Sequence, residues 1–279
     1  MYKVGVSGNF GGNKNLINGQ TIKTKILTEE LKLLIGSDHI KTLDTYNWKK
    51  KPFKLLKSSI KLLINCKNII ILPAQNGIRV FAPLFVLLNV LMNRRLHYVV
   101  IGGWLPKLLK KNNILRMILK YFYAIYVETD KMVKDLKSLG LDNVIYLPNF
   151  KRINILEENE LVCQTKEPFK LCTFSRVMKE KGIEEAIEAV KKINSDMNRV
   201  VFTLDIYGQI EHNYKERFEK IKKEFPPYIC YKGVIAFDKS TEVLKNYYAL
   251  LFPTYYEGEG FPGTIIDAFS SGVPVVATN

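Results

Sequence analysis

The sequence has few of the residues that would indicate a disulfide framework, a metal site or a secretory leader. Its four cysteines are widely spaced, no CxxC pair occurs, and only three histidines accompany them. This composition predicts reduced thiols and no cysteine or histidine metal site. The N-terminus passes directly into the strand-like run Tyr2 to Val6, without the apolar core of a signal peptide. We therefore expect a cytoplasmic protein.

Long hydrophobic runs are also missing. The most apolar stretch, residues 81–92, is interrupted by Pro83 and Asn89 and is followed by Arg94 and Arg95. A membrane-spanning helix needs roughly 20 consecutive apolar residues. This stretch therefore predicts a buried or interfacial helix.

Acidic residues are absent between Asp44 and Glu128, a stretch that holds 15 lysines and arginines among many aliphatic residues. Residues 1–150 carry 24 basic and 8 acidic residues, and residues 151–279 carry 18 and 19, so the halves have net charges of +16 and −1. A basic and apolar surface is typical of proteins that dock on anionic membranes. The alternative is a solvated, lysine-rich face. Nucleic acid is not an expected partner, because the basic stretch has no recognition motif.

Strand-like and helix-like segments alternate along the chain, which predicts an α/β protein with parallel sheets flanked by helices. A polar stretch, residues 157–167, separates two such series. We therefore predict two domains, residues 1–150 and residues 151–279. Because the sequence ends directly after the strand-like run Val275 to Ala277, the second domain is expected to be truncated at its C-terminus.

A glycine-rich segment near the end of the chain carries the clearest chemical signal. Residues 255–277 read YYEGEGFPGTIIDAFSSGVPVVA, a loop that follows a strand and opens into a short helix. Backbone N–H groups at such a place suit an anionic, phosphate-bearing ligand. Within the segment, Glu259 and Asp267 lie eight positions apart, and their carboxylates can accept hydrogen bonds from sugar hydroxyls.

This segment resembles the retaining glycosyltransferases of family 4 (glycosyl transferases group 1), whose hallmark is two acids separated by seven residues. The resemblance implies the GT-B fold, in which two Rossmann-like parallel-sheet domains face a cleft. It also implies that Glu259 contacts the transferred sugar as the catalytic residue and that Asp267, where the family usually has Glu, binds the ribose. Further donor contacts expected from the same segment are Gly260, Phe261, Gly263 and Thr264.

A second segment, residues 173–183, reads TFSRVMKEKGI and directly follows the first strand-like run of the second half. Diphosphate leaves when sugar is transferred from a nucleotide, so fixed positive charge here would stabilise the developing negative charge. The resemblance assigns this role to Arg176 and Lys181, and it places Gly208 and Val234 in the nucleotide pocket. Gly11 and Gly12 are similar to the family's first-domain glycine loop, which borders the acceptor.

The resemblance implies a nucleotide-sugar donor, a glycan or lipid-linked acceptor, and transfer with retention of configuration. No Asp-x-Asp triplet occurs, so the metal signature of the other large glycosyltransferase fold is missing, and we expect no cofactor or essential metal. Many relatives carry a histidine at the end of a central first-domain strand, where this chain has Ile101-Gly102-Gly103-Trp104. We therefore assign no general base, because front-face transfer can use the leaving phosphate to deprotonate the acceptor. A double displacement would need a carboxylate nucleophile, for which Glu259 is the candidate.

Two basic segments predict how the first domain meets a membrane. Residues 49–63 place lysines on one helical face and leucines on the other, and residues 105–111 repeat this combination. We expect these segments to dock the protein peripherally on the inner leaflet, where a lipid-linked acceptor would be presented for surface polysaccharide biosynthesis. Two alternatives stay open: a non-catalytic nucleotide-sugar-binding or scaffold protein, and a hydrolase or epimerase acting on nucleotide sugars.

Overall fold

The computed structural model describes residues 2–12, 19–152, 155–236 and 239–278. The chain forms two compact units. The first comprises Met1–Lys151 together with Gly258–Phe261, and the second comprises Arg152–Glu257 together with Pro262–Asn279. The short segment Gly258–Phe261 thus belongs to the first unit although it lies far along the sequence.

The first unit contains a six-stranded parallel sheet. Its strands are β1 (Tyr2–Gly8), β2 (Ile40–Asp44), β3 (Cys66–Leu72), β4 (Arg95–Val99), β5 (Ala124–Val127) and β6 (Val144–Tyr146). Its helices are α1 (Gly19–Ile35), α2 (Pro52–Asn65), α3 (Gln75–Asn89), α4 (Leu105–Lys110), α5 (Asn113–Leu119) and α6 (Asp130–Ser138). The strand order β2-β1-β3-β4-β5-β6 reverses direction between β1 and β3.

Strand β3 shows why this sheet forms. It reads CKNIIIL, a nearly continuous apolar run, which is typical of a parallel strand covered on both faces. Ile69 and Ile71 pack into the larger core under α2, α3 and α5, whereas Leu72 belongs to a second cluster that meets α1 through Leu27 and Leu31. The hydrophobic core therefore lies on both sides of the sheet.

The second unit repeats the architecture with five parallel strands in the order β11-β10-β7-β8-β9. The strands are β7 (Phe169–Phe174), β8 (Phe202–Tyr207), β9 (Ile229–Gly233), β10 (Ala249–Phe252) and β11 (Val275–Ala277). The helices are α7 (Ile183–Asp196), α8 (Lys215–Lys222), α9 (Ser240–Leu244) and α10 (Gly263–Ser270). Here the direction of the connections reverses between β7 and β10. In open α/β sheets such a reversal creates a crevice at the carboxyl ends of the strands.

The apolar runs of the first half predict strands at residues 3–7, 68–73, 98–101, 124–127 and 144–147, and the structure differs from this prediction at two places. Strand β2 was not predicted, because IKTLD has three polar residues and only one buried residue, Ile40, as is typical of a strand at the edge of the sheet. Strand β4 begins at Arg95 rather than Tyr98, since its first residues include the charged Arg95 and the polar His97.

The predicted apolar helix is α3, which starts at Gln75 and contains Pro83. In the part of the chain that the structure describes, no helix has both the length and the apolarity needed to cross a membrane. Most leucines of the two basic segments face inward: Leu62 and Leu63 of α2, and Leu108 and Leu109 of α4, are buried in the core, whereas Leu56 of α2 is 40% exposed.

A buried amide fixes the entry into β8. The Asn194 side-chain oxygen accepts hydrogen bonds from the backbone N–H groups of Val201 and Phe202 at 2.9 and 3.0 Å, and its Nδ2 donates to the Phe202 carbonyl at 2.9 Å. Asn194→Ala leaves these backbone groups without their partner and should lower the free energy of unfolding by about 3 kcal/mol in urea denaturation. The exposed amide of Asn246, which donates to the Glu242 carbonyl, is the control, and Asn246→Ala should change stability by less than about 0.5 kcal/mol. Equal losses in the two variants would contradict this role.

Candidate functional site

The carboxyl end of β7 brings the two predicted diphosphate-binding cations together. The Arg176 guanidinium lies 5.9 Å from the ring centroid of Tyr256, and its Nη1 donates to Glu211 Oε2 at 3.0 Å. The ammonium of Lys181, a residue only 8% exposed, lies 5.5 Å from the centroid of the same Tyr256 ring and 5.3 Å from that of Phe252. Both cations therefore converge on one aromatic ring, at the point where the strand order of the second sheet reverses.

Backbone contacts hold the two loops of this site against each other. The Tyr255 N–H donates to the Glu180 carbonyl at 2.9 Å. Gly182 has a φ of 70°, and a Cβ built there would lie 2.0 Å from the Pro253 carbonyl oxygen. The residue that follows Lys181 is therefore a glycine, because the loop after β10 leaves no room for a side chain.

Gly208, one of the predicted nucleotide contacts, allows a second close approach. It follows β8 with a φ of 137°, and a Cβ there would meet the Ser175 carbonyl oxygen at 1.7 Å. Its N–H donates to the Gly233 carbonyl at 2.8 Å, which brings the end of β9 beside it. Val234, the other predicted nucleotide contact, follows Gly233 with an exposed side chain.

Helix α10 brings three further candidates to the same end of the sheet. It begins at Gly263, and the Thr264 hydroxyl donates to the Phe174 carbonyl at 2.7 Å, which ties the first turn of the helix to the end of β7. Asp267 lies one turn later and is buried. The loop thus opens into a short helix, as the sequence predicted, and the helix holds Gly263, Thr264 and Asp267.

The remaining donor candidates, Glu259, Gly260 and Phe261, belong to the segment that the structure groups with the first unit. The Gly258 carbonyl accepts from the Gly103 N–H at 2.9 Å. The Phe261 N–H donates to Glu128 Oε2 at 3.1 Å, and the Phe261 carbonyl accepts from Asn149 Nδ2 at 2.8 Å. The structure thus divides the predicted site residues into one set on the second unit and another on the first.

The predicted acceptor glycines lie at the carboxyl end of β1. Gly11 and Gly12 have φ values of 89° and 57°. The Asp44 carboxylate accepts from the N–H groups of Phe10, Gly12 and Tyr46 at 2.8 to 2.9 Å, which fixes the loop. Beside it lies a cavity of about 440 Å³ at the ends of β1, β2 and β3, with a lining that includes Asn9, Tyr46, Trp48, Lys49, Asn76 and Phe81.

Sequence reasoning missed a buried ion pair between Lys23 of α1 and Glu128, the residue that follows β5. Each residue is 4% exposed. Burial lowers the pKa of Lys23, and the charge of Glu128 opposes this shift. One signal was available, because Glu128 directly follows the apolar run Ala124–Val127 and so had to lie at the carboxyl edge of the sheet. Its partner could not be read from the sequence.

The sequence predicts that the three histidines are structural or exposed, since none stands at the end of a central strand of the first half. His39 and His212 are exposed. His97 lies within β4, with its Nδ1 3.2 Å from the Tyr126 hydroxyl, and burial together with the charge of Arg95 lowers its pKa. Among the residues that the structure describes, no group of three or more His, Cys, Asp or Glu side chains could hold a metal ion. Metal independence stays a prediction.

Gly208 and Gly233 offer a matched test of the close approach after β8. Both have positive φ values, but a Cβ at Gly233 meets nothing within 4 Å, whereas one at Gly208 overlaps the Ser175 carbonyl. Gly233→Ala should lower the free energy of unfolding by about 1 to 2 kcal/mol from backbone strain alone. Gly208→Ala should cost at least about 2 kcal/mol more, because the turn that carries Arg176 must move. Urea denaturation of both variants measures the difference, and equal costs would show that the turn tolerates the shift.

Part of the chain is similar to a known sequence family. Residues 168–279 match the sequence family described as Glycosyl transferases group 1. The chain is 26% identical to an uncharacterised glycosyltransferase of Methanocaldococcus jannaschii, in a match that covers 57% of this chain and 45% of that protein. It is 30% identical to the GtfA subunit of the UDP-N-acetylglucosamine–peptide N-acetylglucosaminyltransferase of Streptococcus pneumoniae, over 40% of this chain and 21% of that protein. The chain therefore spans less than half the length of these curated relatives.

Among solved structures, the chain is similar to Anabaena HepE, which was crystallised in complex with UDP and glucose. The TM-score is 0.69 at 13% identity, and the match covers 99% of this chain and 80% of that one. At this identity the likeness shows the fold. The chain has the GT-B fold that the sequence predicted, and its second unit carries the Glycosyl transferases group 1 match.

Proposed function

We propose that the protein is a retaining glycosyltransferase of family 4 that moves a sugar from a nucleotide-sugar donor to a glycan or lipid-linked acceptor. The observation that carries this proposal is the convergence of Arg176 and Lys181 on Tyr256 at the reversal point of the second sheet. These residues lie within the part of the chain that matches the glycosyltransferase family. The cytoplasmic face of a membrane is the place where such an enzyme would meet a lipid-linked acceptor.

The donor diphosphate is assigned to Arg176 and Lys181. The ion pair between Arg176 and Glu211 is about half exposed on the arginine side, so it contributes at most about 1 kcal/mol. A diphosphate can accept two parallel hydrogen bonds from the guanidinium and can therefore replace Glu211. The mostly buried ammonium of Lys181 supplies a second positive charge, screened from water, where charge develops on the leaving phosphate.

In the proposed reaction, the bond between the anomeric carbon and the phosphate oxygen breaks, and the acceptor oxygen bonds to the same face of the sugar. The acceptor proton passes to the leaving diphosphate, so no protein base is needed. Glu259 accepts hydrogen bonds from the hydroxyls of the transferred sugar, and Asp267 accepts them from the ribose. A UDP-sugar is the donor to test first, because the names of the pneumococcal relative and of the Anabaena complex both include UDP.

The acceptor is assigned to the cavity beside the first glycine loop. Its lining combines aromatic surface, from Tyr46 and Trp48, with the amides of Asn9 and Asn76. The Trp48 ring is held edge-on against Phe81 at 5.5 Å between centroids. A concave site with rigid aromatic walls and a few convergent polar groups suits a sugar, which has apolar faces and hydroxyl edges.

Nucleotide binding tests the donor assignment. UDP should bind the protein in isothermal titration calorimetry, and Arg176→Ala and Lys181→Ala should each weaken binding by at least about tenfold, because each removes a charge-assisted hydrogen bond. Arg217→Ala is the matched control. This arginine is also exposed and also pairs with a glutamate, Glu184, and its loss should change affinity less than about threefold.

Turnover separates the competing functions. Release of UDP from a UDP-sugar that rises with added glycan acceptor indicates transfer, whereas binding without release indicates a non-catalytic binding protein. Release that is independent of acceptor indicates hydrolysis. If UDP, GDP and ADP all fail to bind, the donor assignment is wrong.

We also propose that the first unit associates peripherally with an anionic membrane, through α3 and α5 rather than through the predicted basic helices. The leucines of α2 and α4 that face the core cannot also enter a bilayer. The neighbouring helices α3 and α5, with the residues that follow them, expose apolar side chains beside cations. The exposed apolar residues are Leu87, Val90, Leu91, Ile114, Met117 and Tyr121, and the cations are Arg94, Arg95, Lys111, Arg116 and Lys120. Each cation near an anionic surface contributes about 1 kcal/mol to the free energy of membrane binding.

Vesicle sedimentation tests this surface. The protein should pellet with phosphatidylcholine vesicles in which about one lipid in three is phosphatidylglycerol, and should not pellet with pure phosphatidylcholine. Leu91→Glu should reduce pelleting at least about fivefold, because it adds a negative charge to an apolar contact that is 94% exposed. Ile155→Glu makes the same change at a well-exposed position on the second unit and should have no effect. Pelleting without preference for anionic lipid would overturn the assignment.

A further inference from the structure

The Lys23–Glu128 ion pair lies where a salt bridge is hard to explain by stability alone. Both residues are almost completely buried. Replacing a buried ion pair by apolar residues of similar size often leaves stability unchanged or improves it. A buried ion pair at the carboxyl edge of the first sheet therefore calls for a role other than holding α1 against β5.

The geometry of Glu128 indicates that role. Its Oε1 accepts from Lys23, and its Oε2 accepts from the N–H of Phe261 at 3.1 Å. Lys23 is itself oriented by a second acceptor, the Val100 carbonyl, at 3.3 Å. Only an ionised carboxylate offers two acceptor oxygens and no donor to two N–H groups at once. Lys23 thus fixes the orientation of Glu128, and Glu128 holds the backbone two residues beyond Glu259.

Other contacts hold the same segment on its remaining sides. The Gly103 N–H donates to the Gly258 carbonyl, and Asn149 Nδ2 donates to the Phe261 carbonyl. A Cβ at Gly103 would lie 2.0 Å from the Glu259 carbonyl oxygen, and a Cβ at Gly260 would lie 1.9 Å from Glu128 Oε2. The backbone on both sides of Glu259 is therefore held by hydrogen bonds and by contacts too close for any side chain.

We infer that Glu128, oriented by Lys23, is a positioning residue that presents Glu259 to the sugar. This inference rests on the proposed function for the role of Glu259, but the docking of the loop can be measured without it. Glu128 acts through the Phe261 N–H and through contact with Gly260, not through the reacting atoms. A misplacement of a catalytic group by about 1 Å can reduce the rate by about 100-fold.

Glu128→Gln is the informative variant, because the amide is nearly the same size but has one acceptor oxygen and one donor group. The NH2 group of the new amide must then face an N–H donor, either Lys23 Nζ or the Phe261 N–H, and it cannot accept a hydrogen bond from that donor. We expect kcat to fall by about 10- to 100-fold, with the donor KM changed less than about threefold. Amide hydrogen exchange at Gly260 and Phe261 should become faster.

Lys23→Met combined with Glu128→Gln gives the rescue. Without the lysine, the new amide at position 128 can turn its oxygen to the Phe261 N–H with no second donor opposing it, so exchange protection and most of kcat should return. If the double variant is as slow as Glu128→Gln alone, the positioning role is wrong and the negative charge itself is required. Asn194→Ala is the control for general destabilisation, because Asn194 belongs to the second unit; it should leave kcat and exchange at residues 260 and 261 unchanged.

Amide exchange keeps this inference separate from the proposed function. If the wild-type protein transfers no sugar, the proposed function fails, yet faster exchange at Gly260 and Phe261 in Glu128→Gln still supports the docking of the loop. Unchanged exchange in Glu128→Gln overturns that docking. Faster exchange with an unchanged kcat in an active enzyme shows a purely structural contact and overturns the positioning role.

Discussion

Burial of both faces of the two parallel sheets is the constraint on which the rest of this structure depends. Strands such as β3 carry apolar side chains to both faces and leave no place for a ligand there. Polar groups that act on a ligand must then lie where the strands end. The reversals of strand order after β1 and β7 open space at those ends, and the cavity near Asn9 and the cation pair at Tyr256 are found there.

Close backbone approach is the second constraint, and it explains why the candidate sites are rich in glycine. At Gly182 and Gly208 the carbonyl of a neighbouring loop occupies the space of a side chain. Gly103 and Gly260 meet the same limit in the first unit. The positions of Arg176 and Glu259 are therefore set by main-chain contacts, which vary less with side-chain motion than contacts between long polar groups do.

The sequence predicted what depends on local order and missed what depends on partners far along the chain. The α/β class followed from the alternation of apolar runs, and the GT-B fold from the resemblance of the segment around Glu259 to glycosyltransferase family 4. Arg176 and Lys181 could be proposed together because one short turn holds both. Strand β2 was missed because edge strands carry a weak apolar signal. The Lys23–Glu128 pair joins residues 105 positions apart, a separation over which spacing carries no information.

The same limit explains why residues 258–261 were predicted as part of the second domain, where covalent continuity places them. Their grouping with the first unit arises from hydrogen bonds to Gly103, Glu128 and Asn149. A glutamate directly after a buried strand was the signal that could have directed attention there. Amphipathic periodicity has a related limit, since it reveals an apolar face but not what covers that face.

The leucines of α4 have the same spacing whether they meet lipid or protein, and the structure shows that they meet the core. The apolar residues at the end of α3 are exposed although their sequence carried the clearer signal for burial. A helix whose apolar side is buried in the protein can contact a membrane only through its charged side chains. A helix that exposes both leucines and nearby arginines can gain from apolar contact and from attraction to anionic lipid, and this is the physical reason for preferring α3 and α5 as the docking surface.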